Sequence, residues 1–96
     1  MSNPSAELPT LPEPAFVLLT QDDCPRCEVI KKMLASPLKG LQDRVQIIHR
    51  QSSPEAFAHH AGRLKIGGTP AMIRLRDDST LMRLDSLFEV RTFLQD

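Results

Sequence analysis

Two cysteines three positions apart carry the clearest chemical signal in the chain. Cys24 and Cys27 lie in the segment TQDDCPRCEVI, and the 96-residue sequence contains no other cysteine. Thiols at this spacing can exchange with disulfides, bind a metal ion, or pack as small buried hydrophobic groups. Which of these alternatives applies depends on the elements that hold the pair.

A buried strand before the pair and a helix after it are predicted. Residues 15–19 (AFVLL) form a continuous apolar run, which is typical of a strand buried on both faces. Pro25 suits the first position of a helix, and we predict that this helix ends before Pro37. The apolar residues that share its inner face are Cys27, Ile30, Met33 and Leu34.

This position favours redox chemistry at the first cysteine. Cys24 is expected at the helix cap and Cys27 one turn in, so unpaired N–H groups and the helix dipole would stabilise a thiolate on Cys24. The thiolate is the nucleophile in disulfide exchange, and Cys27 on the same face can resolve the mixed disulfide. Pro25 makes the turn rigid, and Arg26 adds a positive charge nearby.

Two carboxylates just before the pair act in the opposite direction. Asp22 and Asp23 precede Cys24, and a nearby negative charge disfavours a second one on the sulfur. The size of this effect depends on where the two side chains point, which the sequence does not give.

A metal site is weakly supported. One C-x-x-C motif supplies two of the four ligands that structural zinc usually takes, so histidines would have to complete the set. His49, His59 and His60 lack the spacing of a zinc motif, and two adjacent helical residues diverge by about 100°. We predict no metal site, with each histidine on the surface or partly buried.

The remaining pattern predicts the element order β-α-β-α-β-β-α. Strands one and two, joined through a helix, should be parallel, and the last two strands should form an antiparallel hairpin. The fold class is therefore α/β, with a four-stranded mixed sheet flanked by three helices. The later elements are predicted as a strand at 44–49, a helix capped by Ser53, strands at 71–76 and 80–84, and a last helix capped by Asp85.

Composition disfavours nucleic acid and membranes as partners. Twelve basic residues balance twelve acidic ones, and the chain has no Trp or Tyr for base stacking. No apolar run approaches the roughly 20 residues that cross a bilayer. The first residues, MSNPSAELPTLPEP, have neither a basic start nor an apolar signal core, so a cytoplasmic protein is expected. We predict an extended or disordered lead at 1–14 and one domain at 15–96.

A second motif, GGTP at residues 67–70, precedes the third predicted strand. Together with CPRC at a strand–helix junction and the element order, it makes residues 15–96 resemble the thioredoxin superfamily, particularly its short glutaredoxin-like branch. The resemblance implies that Cys24 and Cys27 are the redox dithiol. It also implies that Pro70 is cis beside them, leaving the backbone of Thr69 to pair with an extended substrate chain.

The chain departs from the glutaredoxin pattern at the positions that hold glutathione. Arg26 stands where glutaredoxins favour an aromatic residue, and Gln21 where they carry a basic one. The Gly-Gly pair before their last helix is missing, since the matching segment reads MRLDSL. Asp85 or Ser86 is expected there as an ordinary helix cap.

The resemblance implies a thiol–disulfide oxidoreductase in which Cys24 attacks and Cys27 resolves. It needs no tightly bound cofactor, acts on a disulfide-containing protein or small molecule, and is expected as a monomer. Electrons would come from glutathione or a dedicated reductase. Two alternatives remain: a module holding a metal or Fe–S cluster through both cysteines, and an interaction domain whose thiols no longer turn over. The residues expected to shape the substrate groove are Thr69, Pro70, Pro25 and Arg26.

Overall fold

The computed structural model describes residues 14–96, so the predicted lead, apart from its last residue, lies outside the described residues. Within that range the predicted order β-α-β-α-β-β-α is confirmed. None of the helices there is long and apolar enough to cross a membrane. The elements are β1 (Phe16–Thr20), α1 (Pro25–Ala35), β2 (Val45–His49), α2 (Pro54–Leu64), β3 (Ala71–Arg74), β4 (Ser79–Leu81) and α3 (Leu87–Gln95).

The four strands form one mixed sheet in the order β2-β1-β3-β4. β2 is parallel to β1, with Thr20 opposite His49 at their carboxyl ends. β3 is antiparallel to β1, with Ala71 opposite Leu19, and β4 completes the predicted hairpin with β3. The carboxyl ends of β1 and β2 therefore lie at the same edge of the sheet as the beginning of β3.

The core lies on both faces of β1, as its continuous apolar run predicts. Phe16 and Leu18 face a cluster that includes residues of α1 and α3. Val17 and Leu19 face the opposite way, toward α2. Because all five residues of β1 are buried, this central strand fixes the position of the helix that follows it. The α2 residues packed on the second cluster are Phe57, Ala61 and Leu64.

The predicted cap of the third helix was wrong, and that of the second helix was placed correctly. Ser86, not Asp85, is the N-cap of α3, and its hydroxyl accepts a hydrogen bond from the backbone N–H of Glu89 at 3.3 Å. The chain is still extended at Ser86, so the side chain one residue earlier is not placed to reach that donor. Ser53 is the N-cap of α2 as predicted, but its side chain makes no capping hydrogen bond.

Both hairpin strands are shorter than predicted, and β3 is shorter because the turn that follows it starts early. The backbone N–H of Asp78 bonds to the carbonyl oxygen of Arg74 at 2.8 Å, which ends β3 two residues sooner. Within this turn, the backbone N–H of Ser79 donates a hydrogen bond to the Asp77 carboxylate, which lowers the pKa of Asp77. β4 ends at Leu81 and not at Leu84 as predicted. Leu84 is instead buried in the core cluster on the α1 side of the sheet.

One described element has no counterpart in the prediction. Residues Lys39–Arg44 form a 3₁₀ helix between α1 and β2, where only an exit from the helix was expected. Leu38 just before it is buried, and Leu41 within it packs against the same cluster. The segment therefore closes one end of the core.

Candidate redox site

The cysteine pair lies at the junction of β1 and α1, in the predicted positions. Cys24 is the N-cap of α1, and its sulfur accepts a hydrogen bond from the backbone N–H of Cys27 at 3.1 Å. Pro25 occupies the first turn. The two sulfur atoms form a disulfide, with the Cα atoms 5.2 Å apart. The pair can therefore interconvert between a dithiol and a disulfide without a large backbone movement.

The two cysteines differ in exposure. Cys24 is partly exposed, whereas Cys27 is fully buried against the core. A large substrate can reach only the first of them directly. The buried sulfur is within reach of its partner alone, which suits it to a second, intramolecular step.

Thr69 comes to the cysteines from a distant part of the chain. Its hydroxyl donates a hydrogen bond to the sulfur of Cys24 over 3.5 Å, although 45 positions separate the two residues. The peptide bond between Thr69 and Pro70 is cis, and Pro70 is buried. This contact follows from the sheet topology, since β3 begins at the edge where β1 ends.

Cys24 lines a shallow open pocket of about 340 Å³. Three of the four residues predicted to shape a substrate groove line it, and Pro70 is not among the lining residues. The pocket has one acidic and one basic side chain, from Asp23 and Arg26, and within residues 14–96 neither forms a salt bridge. The lining residues are Gln21, Asp23, Cys24, Pro25, Arg26 and Thr69.

A hydrogen-bonded trio beside this pocket was missed by the sequence analysis. The ring of His49 contacts the hydroxyl of Thr20 through Nδ1 and the carboxylate of Asp22 through Nε2, each at 2.8 Å. His49 is partly buried, as predicted, but its partners were not. The available signal was positional: Thr20 and His49 each end one of two adjacent parallel strands.

Further hydrogen bonds join the same two loops. The backbone N–H of Asp22 donates to the side-chain oxygen of Gln51 at 2.9 Å. Arg50 donates from its side chain to Gln21 at 3.1 Å and from its backbone to the carbonyl oxygen of Thr20 at 2.9 Å. The loop that precedes Cys24 is thus tied to the loop that follows β2.

The other histidines lie away from this trio, on α2. The rings of His59 and His60 contact each other edge to face, with centroids 5.2 Å apart. Burial, and then the positive charge of Arg63, lower the pKa of His60. In the described part of the chain, no three His, Cys, Asp or Glu side chains cluster closely enough to hold a metal ion.

The difference in exposure predicts the order of alkylation. In the reduced protein, iodoacetamide at neutral pH should label Cys24 about tenfold faster than Cys27, because exposure and the helix N-terminus both favour a reactive thiolate there. Mass spectrometry of peptides after brief exposure measures both rates, with the oxidised protein as the unlabelled control. Faster labelling of Cys27 would reverse the assignment of the attacking sulfur.

Comparison with known proteins supports the fold and goes no further. No protein-family model matches the chain, and no curated protein matches its sequence significantly. The crystal structure of the thioredoxin-like protein BC3987 is similar, with a TM-score of 0.59 and 17% sequence identity, over 80% of this chain and 96% of that one. Together with the observed element order, this likeness shows that the chain has a thioredoxin-like fold.

Proposed function

We propose that the protein is a thiol–disulfide oxidoreductase that reduces disulfides through Cys24 and Cys27. The observation that carries the proposal is the asymmetry of the pair. One sulfur is accessible at a helix start and lies in an open pocket, and the other is buried behind it at bonding distance. Attack and resolution need such an arrangement.

In the reaction we propose, the Cys24 thiolate attacks one sulfur of the substrate disulfide. A bond forms between these two sulfur atoms, the substrate disulfide breaks, and its other sulfur leaves as a thiolate that takes up a proton. Cys27 then loses its proton and attacks the sulfur of Cys24. This closes the protein disulfide and releases the second substrate thiol, so two electrons have passed to the substrate.

Two donors around Cys24 support the charge that this reaction requires. The backbone N–H of Cys27 and the hydroxyl of Thr69 both point at its sulfur. In the reduced protein the acceptor would be an anion, and hydrogen bonds to a charged acceptor are about twice as strong as neutral ones. Both contacts therefore favour the attacking thiolate over the thiol.

The open shape of the pocket favours a protein or peptide disulfide as substrate. The beginning of β3 lies beside the sulfur, so the backbone of Thr69 would pair with an extended substrate chain. Pro25 and Arg26 form another part of the pocket lining. We propose a cytoplasmic monomer whose disulfide is reduced again by glutathione or a reductase, because a reducing compartment keeps such pairs as dithiols between turnovers.

An insulin-reduction assay tests this proposal. With dithiothreitol as electron donor, the protein should accelerate the appearance of insoluble insulin B chain over the donor alone. The chain with both cysteines replaced by serine is the control and should give the rate of the donor alone. No acceleration by the wild type would contradict the proposal. Metal analysis of the same freshly purified sample then separates a metal or Fe–S module from an interaction domain without turnover.

Glutathione should be a poor ligand of this site. Gln21 lines the pocket where glutaredoxins carry a basic residue, and losing a charge-assisted contact costs about 1.5–3 kcal/mol, or roughly a tenfold to hundredfold in affinity. Gln21→Lys should recover about tenfold or more of the stability of a glutathione adduct on Cys24 in the Cys27→Ser chain. The equilibrium with oxidised glutathione, followed by mass spectrometry, measures it.

Gln46→Lys is the matched control for this experiment. It adds the same charge on β2, at an exposed position that does not line the pocket. An equal gain from both lysines would show general charge attraction instead of a specific contact. A wild-type adduct already as stable as that of Gln21→Lys would contradict the prediction.

A further inference from the structure

The two aspartates before Cys24 are placed very differently. Asp23 has a left-handed backbone conformation, with φ of 56°, and lines the pocket of the Cys24 sulfur. Asp22 is absent from that lining, and its carboxylate instead bonds to Nε2 of His49 at 2.8 Å. One of the two charges that disfavour a thiolate is therefore drawn toward β2.

We propose that His49 is a positioning residue that holds the Asp22 carboxylate against the end of β2 and so keeps its charge away from the attacking sulfur. Its importance for turnover rests on the proposed function. The effect on the thiol itself does not, because it concerns the free protein before any substrate binds.

The hydrogen bonds of the ring fix its role. A carboxylate accepts and does not donate, so Nε2 of His49 carries the hydrogen that bonds to Asp22. In the neutral ring, Nδ1 is then an acceptor, and the hydroxyl of Thr20 donates to it. Thr20 is fully buried, which makes it a firm anchor for one side of the ring. The other side is left facing the carboxylate.

The backbone of the loop supports the same placement. The N–H of Asp22 bonds to the side chain of Gln51, and the loop is joined again through Arg50, which bonds to Gln21. These contacts hold the backbone of Asp22 and the side chain of Gln21, and neither of them holds the Asp22 carboxylate. The Asp22 side chain is 61% exposed, so without His49 the carboxylate would be free to rotate.

A released carboxylate would reach the surroundings of Cys24, two residues along the chain. In physiological salt a carboxylate more than about 10 Å from the sulfur is largely screened, and moving it to about 6–8 Å lowers the thiolate fraction near neutral pH by about twofold to threefold. The charged groups already near the sulfur are Asp23 and Arg26 in the pocket, with Arg50 beside the loop. His49→Ala should therefore slow alkylation of Cys24 by that factor.

The experiment measures the rate of iodoacetamide labelling of Cys24 against pH in the reduced 96-residue chain. His49→Ala should shift the profile to higher pH, whereas His49→Gln, whose amide can still donate to Asp22, should stay near wild type. Asp22→Asn should raise the rate by less than about twofold, because the charge it removes is already held away. His59→Ala, a histidine change elsewhere on the surface, should change nothing.

The double variant separates this effect from a general loosening of the loop. With Asp22→Asn present, His49→Ala should leave the rate unchanged, because no charge remains to be released. An equal slowing in both backgrounds would overturn the proposal. An increase of several-fold in the labelling rate of Asp22→Asn alone would also overturn the proposal. This test is available even if His49→Ala does not fold. Labelling needs no substrate, so failure of insulin reduction with this rate pattern intact would reject the proposed function alone.

Discussion

Cys24→Ser should abolish disulfide reduction, whereas Cys27→Ser should attack substrates and then stall as a mixed disulfide. Without the first sulfur, no nucleophile lies in the open pocket, because Cys27 is fully buried. Without the second, attack still occurs but the intramolecular release step is lost. We expect insulin reduction to fall on the order of a hundredfold or more in Cys24→Ser.

The two variants are distinguished by what accumulates. Incubation with an oxidised protein substrate, followed by electrophoresis without reductant, should show a covalent adduct for Cys27→Ser and none for Cys24→Ser. Cys27→Ala should trap the same adduct, and it controls for the cost of placing a serine hydroxyl at a buried position, about 1–3 kcal/mol when unpaired. Equal residual activity in the variants of the two cysteines would rule out the two-cysteine mechanism.

The parts of the fold that the sequence predicts well are those set by local pattern. The continuous apolar run of β1 predicted a strand covered on both faces, and its residues alternate between the two core clusters. Pro25 placed the beginning of α1 correctly. Such patterns suffice because burial on one or two faces dictates residue type position by position.

The errors occur where neighbouring residues suit the same role equally well, or where packing against distant parts of the chain decides the boundary of an element. Asp85 and Ser86 are both good N-cap residues, so the choice depends on where the chain leaves the core after Leu84. The early hairpin turn likewise depends on a bond between Asp78 and Arg74 that no periodicity reveals. Local propensity cannot resolve such choices, because their free-energy differences are small.

The same contrast between local and long-range features applies to the candidate site. The cysteine pair and its helix cap are local features, and they were predicted from the C-x-x-C spacing, the apolar run before it and Pro25. The contact from Thr69 to Cys24 spans 45 positions. Only the resemblance to a known fold put the neighbouring Pro70 beside the cysteines, and the bond from the Thr69 hydroxyl was not predicted. The bonds of His49 to Thr20 and Asp22 needed the register of β1 against β2, which the sequence does not supply.

Leu18→Ala should destabilise the fold strongly, because it truncates the core at the middle of the central strand. Leu18 is fully buried there, in the same cluster as the α1 residues Ile30 and Leu34. The change removes buried apolar surface and leaves a cavity, which costs about 2–5 kcal/mol of the free energy of unfolding. Urea unfolding of the oxidised protein should show this as a lower midpoint at an unchanged slope.

Ile47→Ala is a closely matched control, because Ile47 pairs directly with Leu18 in the β1–β2 register. Its side chain is 45% exposed, so the same kind of truncation leaves no closed cavity and should cost less than about 1 kcal/mol. Equal losses would mean that the β2 edge is covered in solution, for example by a second copy of the chain, and dilution would then reduce the effect of Ile47→Ala. A loss of unfolding free energy in Leu18→Ala alone would show that the fold depends on the packing of β1, the strand that leads into the cysteine loop.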